Sequence, residues 1–317
     1  MLRTIAIRQP FHSSRRAPLR LLLGPSLTRY ISGHNVPKVV PLTDVIHSSS
    51  MIPRCSDNRR TSTGNGWTPR TARRSTSQVF YIYLQHWNRL VLTVDPASNE
   101  KIGTLPDLTR SETANAISHA TTAFATFRNT TPRERSRMLR NWFNLCQQHS
   151  SDLAKILTWE NGKPLAEAKG EVTYGSSFFE WFSEEAPRLY GDVIPSSFKG
   201  NRIITIRQPV GVVGIITPWN FPMAMITRKV GAAIAAGCTC VIKPASETPF
   251  TALAIAELGE RAGIPKGVIN VVTAHENTKE VGSELCENPS VRKISFTGSV
   301  NRYQMRLNHR LLLVKFS

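Results

Sequence analysis

The chain has 317 residues, of which 40% are hydrophobic, and a formal net charge of +18, enough length and apolar content for one large or two medium domains. The charge suggests a polyanionic partner until its distribution is followed: residues 1–94 hold fourteen Lys or Arg against Asp44 and Asp57, while the rest balances 26 basic with 20 acidic groups. A basic front with few interleaved aromatics argues against a nucleic-acid partner, and the lack of any run of ~20 apolar residues argues against a membrane span.

The first 34 residues carry Arg3, Arg8, Arg15, Arg16, Arg20 and Arg29, several Ser and Thr, the short run Leu21–Leu23, and no Asp or Glu. Arg-rich, acid-free starts read as mitochondrial presequences, and three leucines are too few for the apolar region of a secretory signal. Residues 1–34 therefore predict delivery to the mitochondrial matrix, although a basic tail without an address has the same composition. Residues 35–78 are rich in Ser, Thr, Pro, Arg and Asn, as in Ser48–Ser50, Arg59–Thr63 and Thr71–Ser77. With few apolar anchors to offset the entropy of ordering, they are expected to be disordered. Apolar and aromatic residues return between Val79 and Val94, which predicts one or two short strands and the start of an ordered domain spanning 79–299. Cys55, Cys146, Cys238, Cys240 and Cys286 are odd in number and include no C-x-x-C pair, so neither a disulfide framework nor a metal site is expected.

A helix-rich stretch follows. Thr109 to Phe127 carries Ala114, Ile117, Ala120, Ala123, Phe124 and Phe127 at helical spacing. The next helix opens at Thr131-Pro-Arg-Glu134, with a capping Thr, Pro at the first helical position and a Glu that reaches back to the cap. Its buried stripe is Met138, Leu139, Trp142, Phe143 and Cys146. Two further helices are predicted around Ser151–Glu160 and Pro164–Ser183. At Arg202 the period changes: Arg202–Arg207 alternates like a strand with one wet face, and Gly211–Ile216 is continuously apolar like a strand buried on both faces. Helix and strand then alternate: helix Phe221–Ala236, strand Thr239–Ile242, helix Pro249–Ala262, strand Val268–Val272, helix Thr278–Glu287 and strand Val291–Phe296. No internal repeat is apparent. The alternation predicts an α/β fold with a doubly wound parallel sheet, whose ligands bind beyond the carboxyl ends of the strands. Thr217–Asn220, Lys243–Glu247 and Thr297–Ser299 all fall at such ends.

Those segments carry a resemblance. Ile216-Thr-Pro-Trp-Asn-Phe-Pro222, Lys243-Pro-Ala-Ser246 and Phe296-Thr-Gly-Ser299, in that order and each closing a strand, resemble the aldehyde dehydrogenase superfamily. Arg140-Asn-Trp-Phe-Asn-Leu145, Glu160-Asn-Gly-Lys-Pro-Leu-Ala-Glu-Ala-Lys169, Met225-Ile-Thr-Arg-Lys229 and Ala235-Ala-Gly-Cys-Thr239 are similar to its succinate-semialdehyde dehydrogenases. The resemblance runs from about Asp95 to Ser299. It implies a homo-oligomeric oxidoreductase that uses NADP or NAD to oxidise a small aldehyde, succinate semialdehyde, to succinate in 4-aminobutyrate breakdown.

The resemblance also implies roles. Asn220 is the amide that stabilises the oxyanion formed when a thiolate attacks the aldehyde, a type of donor worth ~3 kcal/mol. Ile216, Thr217, Pro218 and Trp219 line the nicotinamide-ribose end of the coenzyme. Lys243, Pro244, Ala245 and Ser246 approach the adenosine ribose, where an ammonium and a hydroxyl accept a 2′-phosphate that a carboxylate would repel. Gly298 and Ser299 begin the turn that meets the pyrophosphate. Arg228 holds the carboxylate of the substrate. No G-x-G-x-x-G is present, and Gly211-Val-Val-Gly214 is better read as close strand packing. Beyond Ser299 the pattern departs from the family: a Gly is expected where Tyr303 stands, and residues 300–317 read as an unrelated tail. The family's nucleophilic Cys and water-activating Glu have no counterpart, which predicts a missing catalytic domain and a chain inactive on its own.

Overall fold

A computed structural model describes residues 2–10 and 90–299. The remainder of the expected presequence, the 35–78 segment, most of Val79–Val94 and the 300–317 tail lie outside the described residues.

Strand β1 (Leu2–Pro10) opens the chain, and β2 (Leu90–Val94) with β3 (Lys101–Pro106) forms an antiparallel hairpin. Only the first strand of that hairpin was foreseen. Helix α1 (Arg110–Phe127) and α2 (Pro132–Gln148) both begin with capping boxes, Thr109 with Glu112 and Thr131 with Glu134, which is why both starts were legible. They are followed by α3 (Ser150–Asn161) and α4 (Leu165–Glu185), separated by Gly162 in the left-handed region at φ 79°. There the Gly162 N–H donates to Thr158 O at 2.8 Å, closing α3 as a Gly cap does.

Two sheets complete the architecture. The short β4 (Val193–Pro195) and β5 (Asn201–Pro209) pair antiparallel, with β1 on the other edge of β5. The register of β1 on β5 runs from Leu2 opposite Pro209 to Pro10 opposite Asn201. It corrects one expectation, because the paired segments are a repeat: Leu2–Pro10 and Asn201–Pro209 are identical at six of nine positions. Nine residues are too few for the repeat periods of solenoids or propellers, so the match escapes a search at those periods.

The second sheet is the expected parallel one. Its strands β6 (Val212–Ile216), β7 (Thr239–Lys243), β8 (Ile269–Val271) and β9 (Val291–Phe296) lie in the order β8-β7-β6-β9, linked by α5 (Ala224–Ala235), α6 (Pro249–Arg261) and α7 (Thr278–Glu287). Every residue of β6 and β7 is buried, as a strand covered on both faces requires. Their side chains divide by alternation: Val213, Ile215, Cys240 and Ile242 join the core under α2, α4, α5 and α6, whereas Val212, Ile216 and Val241 pack with Ala116, Ile117 and Ala120 of α1 and Val281 and Leu285 of α7. At the centre of the larger core, Trp142 is 1% exposed, stacks on Phe179 with centroids 3.9 Å apart and donates its indole N–H to Ile255 O at 3.0 Å.

The glycines within and just before β6 act as expected. A Cβ on Gly214 would lie 2.5 Å from Ile294 Cδ1, and Gly211 has φ 130° with Arg292 Cγ 2.7 Å from where its Cβ would stand. Close approach of β6 to β9 therefore depends on both.

Candidate functional site

The strand order reverses at β6: β7 and β8 extend to one side, and the chain returns to place β9 on the other. A crevice at such a switch point, outside the carboxyl ends, is where open parallel sheets bind ligands. Register sharpens its location. Ile216 lies opposite Lys243 on one side and Phe296 on the other. Three consecutive strands therefore end in one row, and Thr217 N donates to Lys243 O at 3.2 Å while Thr297 N donates to Ile216 O at 3.1 Å. All three predicted loops leave from that row.

In the β6 loop, Thr217 is buried, Pro218 is half-buried, and Trp219 and Asn220 are exposed. Asn220 Oδ1 accepts from Phe221 N at 3.1 Å, which turns the side chain at the start of α5. The main chain of this loop is held from outside. Asn161 Nδ2 donates to Trp219 O at 2.7 Å, and Lys163 Nζ donates to Asn220 O at 2.9 Å while lying 4.4 Å from the centroid of the Phe221 ring. Neither residue was singled out from sequence for this task.

In the β7 loop, Lys243 is 5% exposed and Pro244 and Ala245 are buried. The half-buried Ser246 donates its hydroxyl to Glu247 Oε2 at 3.0 Å. Ala245, Ser246, Pro249, Thr273 and Ala274 line a shallow, mostly apolar cleft together with Val91 and Leu105.

In the β9 loop, Gly298 and Ser299 are exposed, and Thr297 gathers the cations of α5: Lys229 Nζ donates to Thr297 Oγ1 at 2.5 Å and Arg228 Nη2 to the same oxygen at 3.4 Å. Lys229 is 6% exposed and pairs with no carboxylate among the described residues. Burial, with the positive charge of Arg228, pushes its ammonium down to about 8. Lys229 is a site residue to which sequence reading gave no role, and Thr297 lay in a candidate loop without a task of its own. The tail that follows Ser299 lies outside the described residues.

These groups fit a dinucleotide. The Thr217 and Thr248 hydroxyl oxygens are buried without a hydrogen-bond partner among the described residues, so two loops each hold a polar group still to be satisfied. Near them the Arg228 guanidinium and the Lys229 ammonium meet at Thr297, a charge suited to an anionic group. Three of the described thiols do not suit attack on a carbonyl: burial pushes Cys146 up to about 12 and raises Cys238 and Cys240; the fourth, Cys286, is half-buried in α7. A thiolate is the nucleophile in such chemistry, and none of these buried sites favours one. No cluster of His, Cys, Asp and Glu able to hold a metal occurs among the described residues, and no described helix is long and apolar enough to cross a membrane.

Comparison with known proteins agrees with this geometry. Residues 84–306 match the aldehyde dehydrogenase family, a span that starts five residues after and ends seven residues beyond the expected 79–299 domain. The chain is 58% identical over 208 residues to the succinate-semialdehyde dehydrogenase [NADP(+)] of Saccharomyces cerevisiae, covering 66% of this chain and 42% of that protein. It is 53% identical over 222 residues to the mitochondrial succinate-semialdehyde dehydrogenase of Homo sapiens, covering 70% and 42%. The crystal structure of an Escherichia coli NADP-dependent enzyme superposes with a TM-score of 0.68 at 53% identity, covering 69% of this chain and 45% of that one. The chain thus spans about two fifths of the length of the curated relatives it matches. With the family match over most of its length and the three loops ending in one row, the chain belongs to the aldehyde dehydrogenase family.

Proposed function

We propose that this chain grips NADP or NAD across the loops after β6, β7 and β9, and that it derives from a succinate-semialdehyde dehydrogenase oxidising succinate semialdehyde to succinate in 4-aminobutyrate breakdown. The observation that carries the reading is the common row of Ile216, Lys243 and Phe296 at the switch point, from which all three loops project. When bound, the coenzyme would supply the hydride acceptor.

The chain's own residues do the rest. Thr217, Pro218 and Trp219 border the nicotinamide end. Lys243 and Ser246 take the adenosine ribose, and the Ser246 hydroxyl, now on Glu247, turns to a 2′-phosphate when Glu247 moves aside. Gly298 and Ser299 approach the pyrophosphate. Asn220 directs its amide at the developing oxyanion, and Arg228 leaves Thr297 for the carboxylate of the substrate. Cys146, Cys238 and Cys240, kept as thiols by burial, are poor nucleophiles, which supports reading the chain by itself as binding coenzyme without turnover. The Arg-rich composition of residues 1–34 supports a mitochondrial matrix location, although Leu2–Pro10 pairs with β5 as a strand of the fold; the name of the human relative gives that protein as mitochondrial, and the family likeness supports a homo-oligomer.

A second reading, a non-catalytic partner of a longer relative, draws support from apolar side chains left in solvent: Val193 is 74% exposed, Tyr190 69%, and Phe198 and Trp181 63% each. Co-purification with an intact homologue would favour it. The primary reading is tested by titrating the purified chain with each coenzyme and then adding aldehyde. Saturable binding without NADPH formation is expected, and Ser246→Glu should weaken NADP about tenfold while sparing NAD. A steady NADPH rate abolished by Asn220→Ala would overturn the claim that this chain is inactive.

A further inference from the structure

The helices that follow the first two coenzyme loops begin without caps of their own. The residues preceding α5 and α6, Met223 and Thr248, make no side-chain cap bond, yet the first backbone N–H groups of both helices are satisfied by distant carboxylates. Glu171 of α4, 4% exposed, accepts from Met223 N at 2.9 Å and Ala224 N at 3.3 Å. Glu160 at the end of α3, 3% exposed, accepts from Phe250 N at 2.7 Å and Thr251 N at 2.9 Å. Between these two glutamates, Lys163 bonds the second oxygen of Glu171 at 2.6 Å and Asn220 O, while Asn161 holds Trp219 O. One short segment around the Gly162 turn thus reaches the start of both helices and the main chain of the β6 loop.

We propose that Glu160, Lys163 and Glu171 are positioning residues that lock the β6 and β7 loops at the separation a dinucleotide requires, Glu171 with Lys163 governing the nicotinamide end and Glu160 the ribose end. The proposal rests on the coenzyme reading above. Each carboxyl group occupies the N–H donors of a helix start, so neither α5 nor α6 presents its first turn to phosphate. The pyrophosphate is left to the β9 loop, and the ends of α5 and α6 act as rigid mounts.

The test separates positioning from stability by its direction. NADP and NAD affinities are measured by calorimetry on the full chain and on Glu160→Gln and Lys163→Met, with amide exchange at residues 217–224 and 243–251 followed in parallel. Glu160→Gln should cut NADP affinity about tenfold and NAD affinity less than about threefold, because only the 2′-phosphate end loses its mount. Lys163→Met should cut both alike, about tenfold. Exchange should accelerate at 243–251 in the first variant and at 217–224 in the second, with β8 unchanged. A parent that binds neither coenzyme refutes the coenzyme reading, and the exchange pattern then still decides the clamp. Exchange unchanged at both loops, or equal losses of NADP and NAD in both variants beside a parent that binds, overturns the proposal.

Discussion

Glu160 offers a sharp test of the energetics, because two effects oppose each other at one carboxyl group. Burial raises it from an ordinary 4.5 to about 8, while the donors at Phe250 and Thr251 favour the ionised form, and the charge of Glu171 adds to the rise. A group whose folded value lies above its unfolded value holds an extra proton in the folded state between the two. Its contribution to stability is complete below pH ~4.5 and is lost as pH rises through about 8. At ~1.4 kcal/mol per unit, the loss between pH 5 and pH 8 has an upper bound of about 3.5 kcal/mol, and relaxation around the charge reduces it to ~2 kcal/mol. Glu160→Gln is the neutral reference: its amide oxygen satisfies one N–H of α6 and its NH2 group faces the other, a fixed cost of ~1–2 kcal/mol. Urea unfolding of both proteins at intervals from pH 5 to pH 8.5 isolates the effect. The parent should be the more stable at pH 5, and the difference should shrink or reverse by pH 8.5. Two parallel curves would refute the reasoning, since they would mean that the helix donors outweigh burial and hold the carboxylate ionised throughout.

Three further outcomes are expected. Lys229, lowered to about 8 by burial, binds fewer protons folded than unfolded between about 8 and 10.5, so it makes stability rise with pH across that window; Lys229→Met should remove this component from a pH series of unfolding midpoints. Gly214→Ala should destabilise by ~1–3 kcal/mol in chemical denaturation, because the added methyl meets Ile294 at 2.5 Å; a neutral result would show that β6 and β9 separate freely. Glu171→Gln should cost ~3 kcal/mol or more, since it leaves the buried Lys163 ammonium facing an amide, whereas replacing both partners with Met should cost less than the two single changes summed.

The elements most legible in the sequence were those with local chemistry. Thr131, Pro132 and Glu134 mark a helix start by themselves, and the unbroken apolar run of β6 announces burial on both faces. The site loops were legible because each closes a strand in an alternating pattern. Glu160 and Lys163 lie within the Glu160–Lys169 motif and Glu171 just beyond it, yet nothing local shows that their partners stand some fifty to ninety residues away. Lys229 was hidden for the opposite reason: next to Arg228 it reads as an exposed basic pair, and only the fold places its ammonium in the interior beside Thr297. Pairing of Leu2–Pro10 with its near copy was hidden because β-sheet partners are set by long-range register.

Binding of the coenzyme is the claim on which the rest depends. Isothermal titration of the folded chain with NADP and with NAD should give saturable heat at one site, with the tryptophan fluorescence of the exposed Trp219 changing over the same concentrations. Absence of heat with both coenzymes at millimolar concentration, from a sample whose circular dichroism shows the α/β core intact, would contradict the account.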